Sequence, residues 1–542
     1  MIQANSLNKA YGVQTLFENL SFLVNKGERV GLVGRNGTGK TTLFRMILGE
    51  EQIDSGTISK PKGYKIGTLE QHIQFTKPNV LEECIKSLPA EEEWDHYKAE
   101  IILSGLGFSE NDFKKDPYSF SGGYQIRINL CKALLGNPNM LLLDEPTNYL
   151  DIVSLRWLKK SLTAWPGEMM IITHDRDFMD KVTTHSMAIH RKQAKKVRGG
   201  TIKLYEQIIQ EEETYEQTRQ NLEKKKKEMQ ALVDRFKAKA SKAAMAQSRV
   251  KMINKMGAMG KLEDEKKIGF RFNHIKCPAK TIMTVENISF SYDGKPENNL
   301  FSKLSFHVKR KDRIAIIGAN GKGKSTLLNC LAGELVPSGS ITKHPEASLG
   351  HFGQTNIDRL NPKNRVVDEI QNANPNLSMQ AAHAICGAMM FDGDLGKKKV
   401  KVLSGGERSR LLLGKIISRP SNIMLLDEPT HHLDVESIES LTEELDAYQG
   451  VVVIVTHSEL LLRSLAENLI IFHRGGAEYF HGGYDDFLEK IGWEGEPVKN
   501  KKSGKQTNKK EARKLRALER QQTTETKTVD KKKGPRRGKN RR

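Results

Sequence analysis

The chain has 542 residues, more than one hydrophobic core holds, and the size prior sets about two to four domains. Its 37% apolar and 28% charged residues suit packed globular domains rather than a disordered chain. No apolar run approaches the roughly 20 residues of a membrane-spanning helix, and Met1–Tyr11 lacks the basic start and apolar stretch of a secretion signal; a cytoplasmic protein is expected. The five cysteines (Cys84, Cys131, Cys277, Cys330, Cys386) are far apart with no C-x-x-C pair, which argues against zinc sites and a disulfide framework and for reduced thiols.

In chain order, an apolar strand over Arg29–Val33 runs into GRNGTGKTT (Gly34–Thr42), a phosphate-binding loop that opens a helix. Gly34, Gly37 and Gly39, with Asn36 among them, let backbone N–H groups wrap phosphate oxygens, and the helix N-terminus favours the negative charge. Lys40 is expected to reach the β- and γ-phosphates, and Thr41, followed by Thr42, to offer a hydroxyl to Mg2+. The strand MLLLDE ends in two acids. Asp144 fits a metal-associated role, and Glu145 sits where it could polarise an attacking water. A pair of helix-capping acids is the plainer alternative, and the upstream loop weighs against it. A further strand, MMIITH, closes on His174.

Next comes a charged stretch without glycine or proline from Leu204 to Met256. Ile208, Tyr215, Leu222, Met229 and Phe236 recur at steps of seven, with Leu232 and Val233 filling the adjacent face, which predicts a heptad-like seam on a helix. Ala246, Val250, Ile253 and Met256 predict a second helix. The pair reads as an antiparallel hairpin with its tip in Lys237–Arg249, and a helix of about 30 residues would project about 45 Å. Arg219–Lys255 holds 12 Lys/Arg against 3 Asp/Glu, and Lys501–Arg542 holds 18 against 4. These two segments carry all the excess of the +21 net charge, a concentration that points to a polyanion, nucleic acid above all.

The second half repeats the first. GANGKGKST (Gly318–Thr326) places Gly318, Asn320, Gly321, Gly323, Lys324, Ser325 and Thr326 as before, with Lys324 lying 284 positions after Lys40. Gln71 and Gln354, Ser121 and Ser404, Glu145 and Glu428, and His174 and His457 are each 283 apart, and IMLLDE again ends in two acids, Asp427 and Glu428.

FSGGYQ (Phe120–Gln125) and LSGGER (Leu403–Arg408), each placed before an acid-tipped strand, resemble the signature loop of ABC ATPases. In that family two cassettes close head to tail, each ATP lying between one phosphate loop and the other cassette's signature. The resemblance implies that ATP at Lys40 is capped by Ser404, Gly405 and Gly406, and ATP at Lys324 by Ser121, Gly122 and Gly123. It makes Gln71 and Gln354 the residues that sense Mg2+ and the attacking water, and His174 and His457 the switch histidines at the γ-phosphate. Tyr11 and Tyr292 fall where an aromatic ring stacks on adenine, although packing is the plainer role, and Asp151 and Asp434 match the loop that crosses the cassette interface. Two departures stand out: Tyr124 follows the first signature, and the second switch reads T-H-S-E where T-H-D-R is common.

The stretch Asp234–Arg249 resembles the linker of the ABC-F subfamily, whose members act on the ribosome, and that resemblance extends to about Trp493. It implies RNA contacts by Lys237, Lys239, Lys242 and Arg249, salt-sensitive and directed at the phosphate backbone. The expected fold class is α/β: two P-loop cassettes over 1–200 and 276–493, a helical linker over 201–275, and a basic, disordered tail over 494–542 with a short helix around Glu511–Gln521. The implied function is an ATP-hydrolysing translation factor that closes on two ATP molecules, binds the ribosomal tRNA exit site and acts through its linker on peptidyl tRNA or the peptidyl transferase region, as a monomer whose cassettes pair within one chain, with rRNA and tRNA as partners. Ribosome protection against antibiotics is the family alternative. A transporter's ATPase subunit and a DNA-repair or chromosome ATPase are the alternatives from other classes. The first is disfavoured by the absence of a fused membrane domain, the second by that of zinc modules or long coiled coils within a cassette.

Overall fold

The computed structural model describes residues 1–12, 14–34, 37–69, 74–148, 150–237, 271–353, 360–391, 393–430, 433–473 and 476–493. Contacts group the chain into two units, Met1–Asp485 and Asp486–Arg542. In the described part of the second, Phe487 packs edge-on against Trp493 with ring centres 5.0 Å apart.

The first half runs β1 (Ile2–Tyr11), β2 (Gln14–Val24), β3 (Arg29–Val33), α1 (Lys40–Leu48), β4 (Ser55–Ser59), β5 (Ile66–Thr68), α2 (Val80–Ile85), α3 (His96–Gly105) and α4 (Gly122–Leu135). It continues through β6 (Met140–Asp144), α5 (Ile152–Thr163), β7 (Glu168–Ile172), α6 (Arg176–Val182), β8 (His185–His190) and β9 (Gln193–Arg198), and α7 (Thr201–Lys237) follows. The second half runs β10 (Thr281–Phe290), β11 (Phe301–Lys309), β12 (Arg313–Gly318), α8 (Lys324–Ala332), β13 (Ser338–Lys343), β14 (Leu349–Phe352), α9 (Val366–Ala373), α10 (Met379–Ala388) and α11 (Gly405–Ile417). It closes with β15 (Ile423–Asp427), α12 (Val435–Ala447), β16 (Val451–Val455), α13 (Glu459–Leu465), β17 (Asn468–His473), β18 (Gly476–His481) and α14 (Tyr484–Lys490).

Both halves build the same pair of sheets. The six-stranded orders are β5-β6-β7-β3-β8-β9 and β14-β15-β16-β12-β17-β18, parallel except for the last strand of each. Their inner strands, such as VVVIV in β16, are continuous apolar runs because both faces are covered, one by helices and the other by the phosphate-loop helix with the three-stranded sheet, so no polar alternation is tolerated. The three-stranded antiparallel sheets, β2-β1-β4 and β11-β10-β13, alternate instead: β11 has every second or third residue buried and the rest exposed. Phe17, Leu20 and Val24 of β2 pack with Leu32, Leu43 and Ile172 in one core, and Phe301, Val308, Ile316 and Val453 make its counterpart. This stacking places both phosphate loops at the C-terminal edge of a central strand, β3 or β12, where ligands bind in open parallel sheets.

Helix starts follow side-chain capping. Asp151 caps α5 through Ser154 N, Asp175 caps α6 through Phe178 N, Asp434 caps α12 through Ser437 N and Ser458 caps α13 through Leu461 N. Asp180 of α6 accepts from Thr201 N at 2.7 Å and Thr201 Oγ1 at 3.0 Å, so the root of α7 is fixed to the helix that follows His174. The Arg176 guanidinium also lies 4.7 Å over the Tyr205 ring.

Helix α7 extends over 37 residues, longer than the 30 or so expected from its pattern. Its sheltered residues include Leu204, Ile208 and Val233, with Tyr215, Leu222 and Met229 half-buried, so the seam is present along the described length. The hairpin tip beyond Lys237, the second helix through Ala246–Met256 and the tail helix around Glu511–Gln521 lie outside the described residues, as do the side chains of Leu232, Phe236 and Lys237. Among the described residues no helix is long and apolar enough to cross a membrane. All five cysteines are buried and unbridged. Their wide spacing in sequence is not a wide spacing in space: packing α2 on α4 brings the Cys84 and Cys131 side chains within hydrogen-bonding reach.

Candidate functional site

Each phosphate loop leaves its strand and turns through glycines before a helix begins at the lysine. Gly39 and Gly323 carry φ of 93° and 102°, and a Cβ there would lie 2.8 Å from the Phe17 ring or 2.9 Å from Leu300 Cβ. Only glycine fits both the left-handed backbone and the space. Gly34, Gly37, Gly318 and Gly321 form the turns ahead of them, also at positive φ. Lys40 Nζ folds back onto Gly34 O at 2.7 Å; Lys324 Nζ reaches Gly318 O at 3.0 Å, Ala319 O at 2.8 Å and Asn320 Oδ1 at 3.3 Å. Both ammonium groups thus lie curled inside the loop that would hold a phosphate.

The acids at the tips of β6 and β15 close the other side. Thr41 Oγ1 donates to Asp144 Oδ2 at 2.7 Å, and Ser325 hydrogen-bonds Asp427 in the second half. These are hard oxygen donors at the foot of the loop, a donor set that fits Mg2+. Glu145 and Glu428 sit at φ of 49° and 47°, the left-handed region that non-glycine residues seldom occupy. Their backbones are held there by one extra rung of sheet, Glu145 N to Ile172 O at 2.8 Å and Glu428 N to Val455 O at 2.9 Å. Each carboxylate then faces its histidine: His174 Nε2 lies 3.3 Å from Glu145 Oε1, and His457 Nε2 lies 3.3 Å from Glu428 Oε1. His457 Nε2 is also 3.1 Å from Asn320 Oδ1.

Burial pushes Glu145 and Glu428 up to about 8, and the adjacent Asp144 or Asp427 adds to it, against the pull of Lys40 or Lys324. Burial likewise raises Asp144 and Asp427 and lowers Lys40 and Lys324 from their ordinary values. A cluster of acids and a lysine all displaced from their ordinary values by burial in one cleft marks a candidate functional site.

The two halves meet head to tail. Asp151, which starts α5 in the first half, accepts from Asn320 N of the second loop at 3.0 Å through Oδ2 while Oδ1 caps its own helix. Arg127 NH1 stands 3.9 Å from the same carboxylate, almost fully buried and stacked 4.5 Å over the Tyr124 ring. Reciprocally, Asp434 of the second half is among the charges acting on Lys40, and His174 among those acting on Asp434. Arg410, in the second half, acts on Asp434, and neither it nor Arg127 is singled out by the motifs, although each lies six positions after its signature serine, a repeat that could be read.

The signature loops differ. Ser404 accepts from Glu407 N and Glu407 returns a bond to Ser404 N, a complete capping box at the start of α11, whose first residues are Gly405 and Gly406. Ser121 makes no cap bond ahead of Gly122 and Gly123 in α4, and Tyr124, which stands where Glu407 does, has no carboxylate to accept from the Ser121 N–H and packs instead against Phe108 and Phe120. Tyr11 and Tyr292 are 48% and 73% exposed, rings outward. Each hydroxyl is tied to the threonine two positions after its loop lysine: Tyr292 to Thr326 Oγ1 at 3.1 Å, Tyr11 to Thr42. Lys9 Nζ lies 4.9 Å over the Tyr11 ring, so the two platforms are not equivalent. Asn36, Gln71, Gln354, Lys239, Lys242 and Arg249 lie outside the described residues, and Lys237 ends α7.

Comparison with known proteins agrees with this geometry. A family model described as ABC transporter matches residues 17–148 and 301–431, and a second with the same description matches 187–272, from β8 across nearly all of the linker. The ATP-binding protein YdiF of Bacillus subtilis (strain 168) is 34% identical, covering 90% of this chain and 83% of its own length. ABC transporter F family member 2 of Arabidopsis thaliana is 31% identical over 90% of this chain and 79% of its own. Among solved structures, the complex of archaeal ribosomal stalk protein aP1 with the archaeal ribosome recycling factor aABCE1 superposes with a TM-score of 0.62, covering 94% of this chain and 98% of that one at 18% identity, a likeness of fold. With two ABC cassettes and relatives of this identity and coverage, the chain belongs to the ABC-F subfamily of ATP-binding cassette ATPases.

Proposed function

We propose that this ATPase is a ribosome-associated translation factor that closes on two ATP molecules, acts through its linker on tRNA or rRNA near the exit and peptidyl sites, and leaves after hydrolysis. The observation that carries this reading is the joint between α6 and α7. The helix that follows His174 also caps and stacks on the root of the long helix that leads into the basic segment Arg219–Lys255, which links that segment to an ATP site. The 12 Lys/Arg against 3 Asp/Glu of Arg219–Lys255 suit a phosphate backbone, and the solved relative of like fold is itself described as a ribosome recycling factor. In this reading the protein works in the cytoplasm as a monomer, its cassettes pairing within the chain as the Asp151–Asn320 contact does.

In this reading the phosphates of ATP lie on the N–H groups of the two loops with Lys40 and Lys324 beside them. The cap comes from the opposite signature, Ser404–Gly406 or Ser121–Gly123, and the adenine stacks on Tyr11 or Tyr292. Thr41 and Asp144, or Ser325 and Asp427, with Gln71 or Gln354, would hold Mg2+, which would offset charge on the phosphates. Glu145 and Glu428 align the attacking water and take up its proton, and His174 and His457 hold those carboxylates in place. Asp151 and Asp434 report the state of one cassette to the loop of the other.

The test is ribosome co-sedimentation of a Glu145→Gln, Glu428→Gln variant with ATP at rising salt. ATP-dependent binding, with a shallower salt dependence after Lys237, Lys239 and Lys242 are changed to Ala, is expected. A variant that closes on ATP yet never sediments with ribosomes would sink the proposal.

A further inference from the structure

The two cassettes are joined by ion pairs whose charges are not distributed as the repeat would suggest. Arg156 of α5 pairs with Glu459 of α13, and Arg176 of α6 pairs with Glu439 of α12. The internal offset of 283 makes Arg156 the counterpart of Glu439, and Arg176 the counterpart of Glu459. The structure agrees: Arg156 and Glu439 are each the fifth residue of the helix capped by Asp151 or Asp434, and Arg176 and Glu459 each open the helix after the switch histidine. The same two places are therefore basic twice in the first cassette and acidic twice in the second.

We infer that these four residues are a matching device: they favour one first-type cassette against one second-type cassette and disfavour two alike, including like cassettes of a second copy of this chain. In a head-to-tail pair related by a two-fold axis, position 156 faces position 459 and position 176 faces position 439. Two first cassettes would set Arg against Arg at both contacts, and two second cassettes Glu against Glu. Like charges facing across an interface are strongly unfavourable, and more so when shielded from water. Shielding is present here. Side-chain exposure is 18% and 4% for Arg156 and Glu459, and 14% and 32% for Arg176 and Glu439. Glu459 is further surrounded by first-cassette charge, since Lys159 and Lys181 act on it besides Arg156, and together they hold it below the ordinary Glu value despite its burial. Its own cassette adds Arg463 at 3.6 Å and the Tyr484 hydroxyl at 3.3 Å. The departure of the second switch from T-H-D-R to T-H-S-E thus supplies one half of a contact whose other half is Arg156.

The pairs also sit where closure is read out. Arg176 and Glu459 each begin two residues after a switch histidine, and Arg156 and Glu439 lie one helical turn beyond the aspartates that cross the interface. The inference stands on ATP-driven pairing alone and is independent of the ribosome reading.

The experiment reverses the charges within the full chain and measures steady-state ATPase at saturating ATP. The R156E/R176E chain presents the four-acid interface that two second cassettes would make, and the E439R/E459R chain presents the four-base interface of two first cassettes. Each is expected to lose at least tenfold in rate. The quadruple exchange R156E/R176E/E439R/E459R restores opposite signs at both contacts and is expected within about threefold of the parent. Because the quadruple variant contains every substitution of both defective chains, its recovery cannot be explained by damage to either cassette. Unchanged rates in the two double variants, or a quadruple variant no better than the worse of them, would overturn the inference.

Discussion

Replacing Asp151 by Asn isolates the bond that ties the first cassette to the second phosphate loop. Asp151 is 4% exposed, and its two oxygens are divided between Ser154 N at 2.9 Å and Asn320 N at 3.0 Å. An asparagine oxygen can keep the helix cap, which leaves its NH2 group facing the Asn320 N–H, a donor against a donor. A hydrogen bond to a charged group contributes about 1.5–3 kcal/mol, or roughly 10- to 150-fold in an equilibrium at 1.4 kcal/mol per decade. The loss falls on closure rather than on folding, because Asn is as good a helix cap as Asp. The assay is an ATP titration of inter-cassette distance by fluorescence transfer, in the Glu145→Gln, Glu428→Gln background so that nothing turns over. Half-saturating ATP should rise by about 10- to 100-fold, with the unfolding midpoint shifted by less than about 1 kcal/mol. A half-saturation within threefold of the parent would refute the role given to this carboxylate.

The buried glutamates predict a pH effect on the ligand-free protein. Their folded values, about 8, lie above the ordinary 4.5, so their stabilising protonation is fully present below pH 4.5 and is lost as pH rises through 8. Glu145→Gln with Glu428→Gln should therefore raise the melting temperature at pH 8 more than at pH 5; an equal shift at both would contradict it. Ser404→Ala should destabilise its cassette by about 1 kcal/mol in denaturant unfolding, as loss of an N-cap does, whereas Ser121→Ala, which loses no cap bond, should change stability by less than about 0.5 kcal/mol. Gly39→Ala places a Cβ 2.8 Å from Phe17 at φ 93°, and should cost about 1–2 kcal/mol in stability together with most ATP affinity; equilibrium binding of a fluorescent ATP analogue checks the second part.

Much of the architecture was legible because the motifs have local causes. A glycine-rich turn between an apolar strand and a helix leaves few alternatives for Gly34–Thr42, and its recurrence at Gly318–Thr326 made the two-cassette plan plain. The strained glutamates were not legible, since the positive φ at Glu145 and Glu428 arises from a ladder bond to Ile172 or Val455, residues distant in sequence. Nor was the pairing of Arg156 with Glu459: each is an ordinary charged residue on an amphipathic helix, and only the interface shows what it meets. The different caps of Ser121 and Ser404 stood halfway. The Tyr124 substitution was visible and foretold the missing return bond of a capping box, but the loss of the Ser121 hydroxyl's own cap bond was not legible.

Under the function proposed above, the joint at Thr201 would turn a small chemical event into a large displacement. Helix α7 has 37 residues, about 55 Å at 1.5 Å per residue, and its base is clamped by Asp180 and Arg176 to a helix only seven residues long. A lever of that length multiplies angle into travel, so tilting α6 by about 5° would sweep the far end of α7 by about 5 Å, close to the rise of one helical turn. The mechanical advantage resides in the shortness of the pivot, and lengthening α7 would change the reach of the stroke without altering the chemistry that drives it.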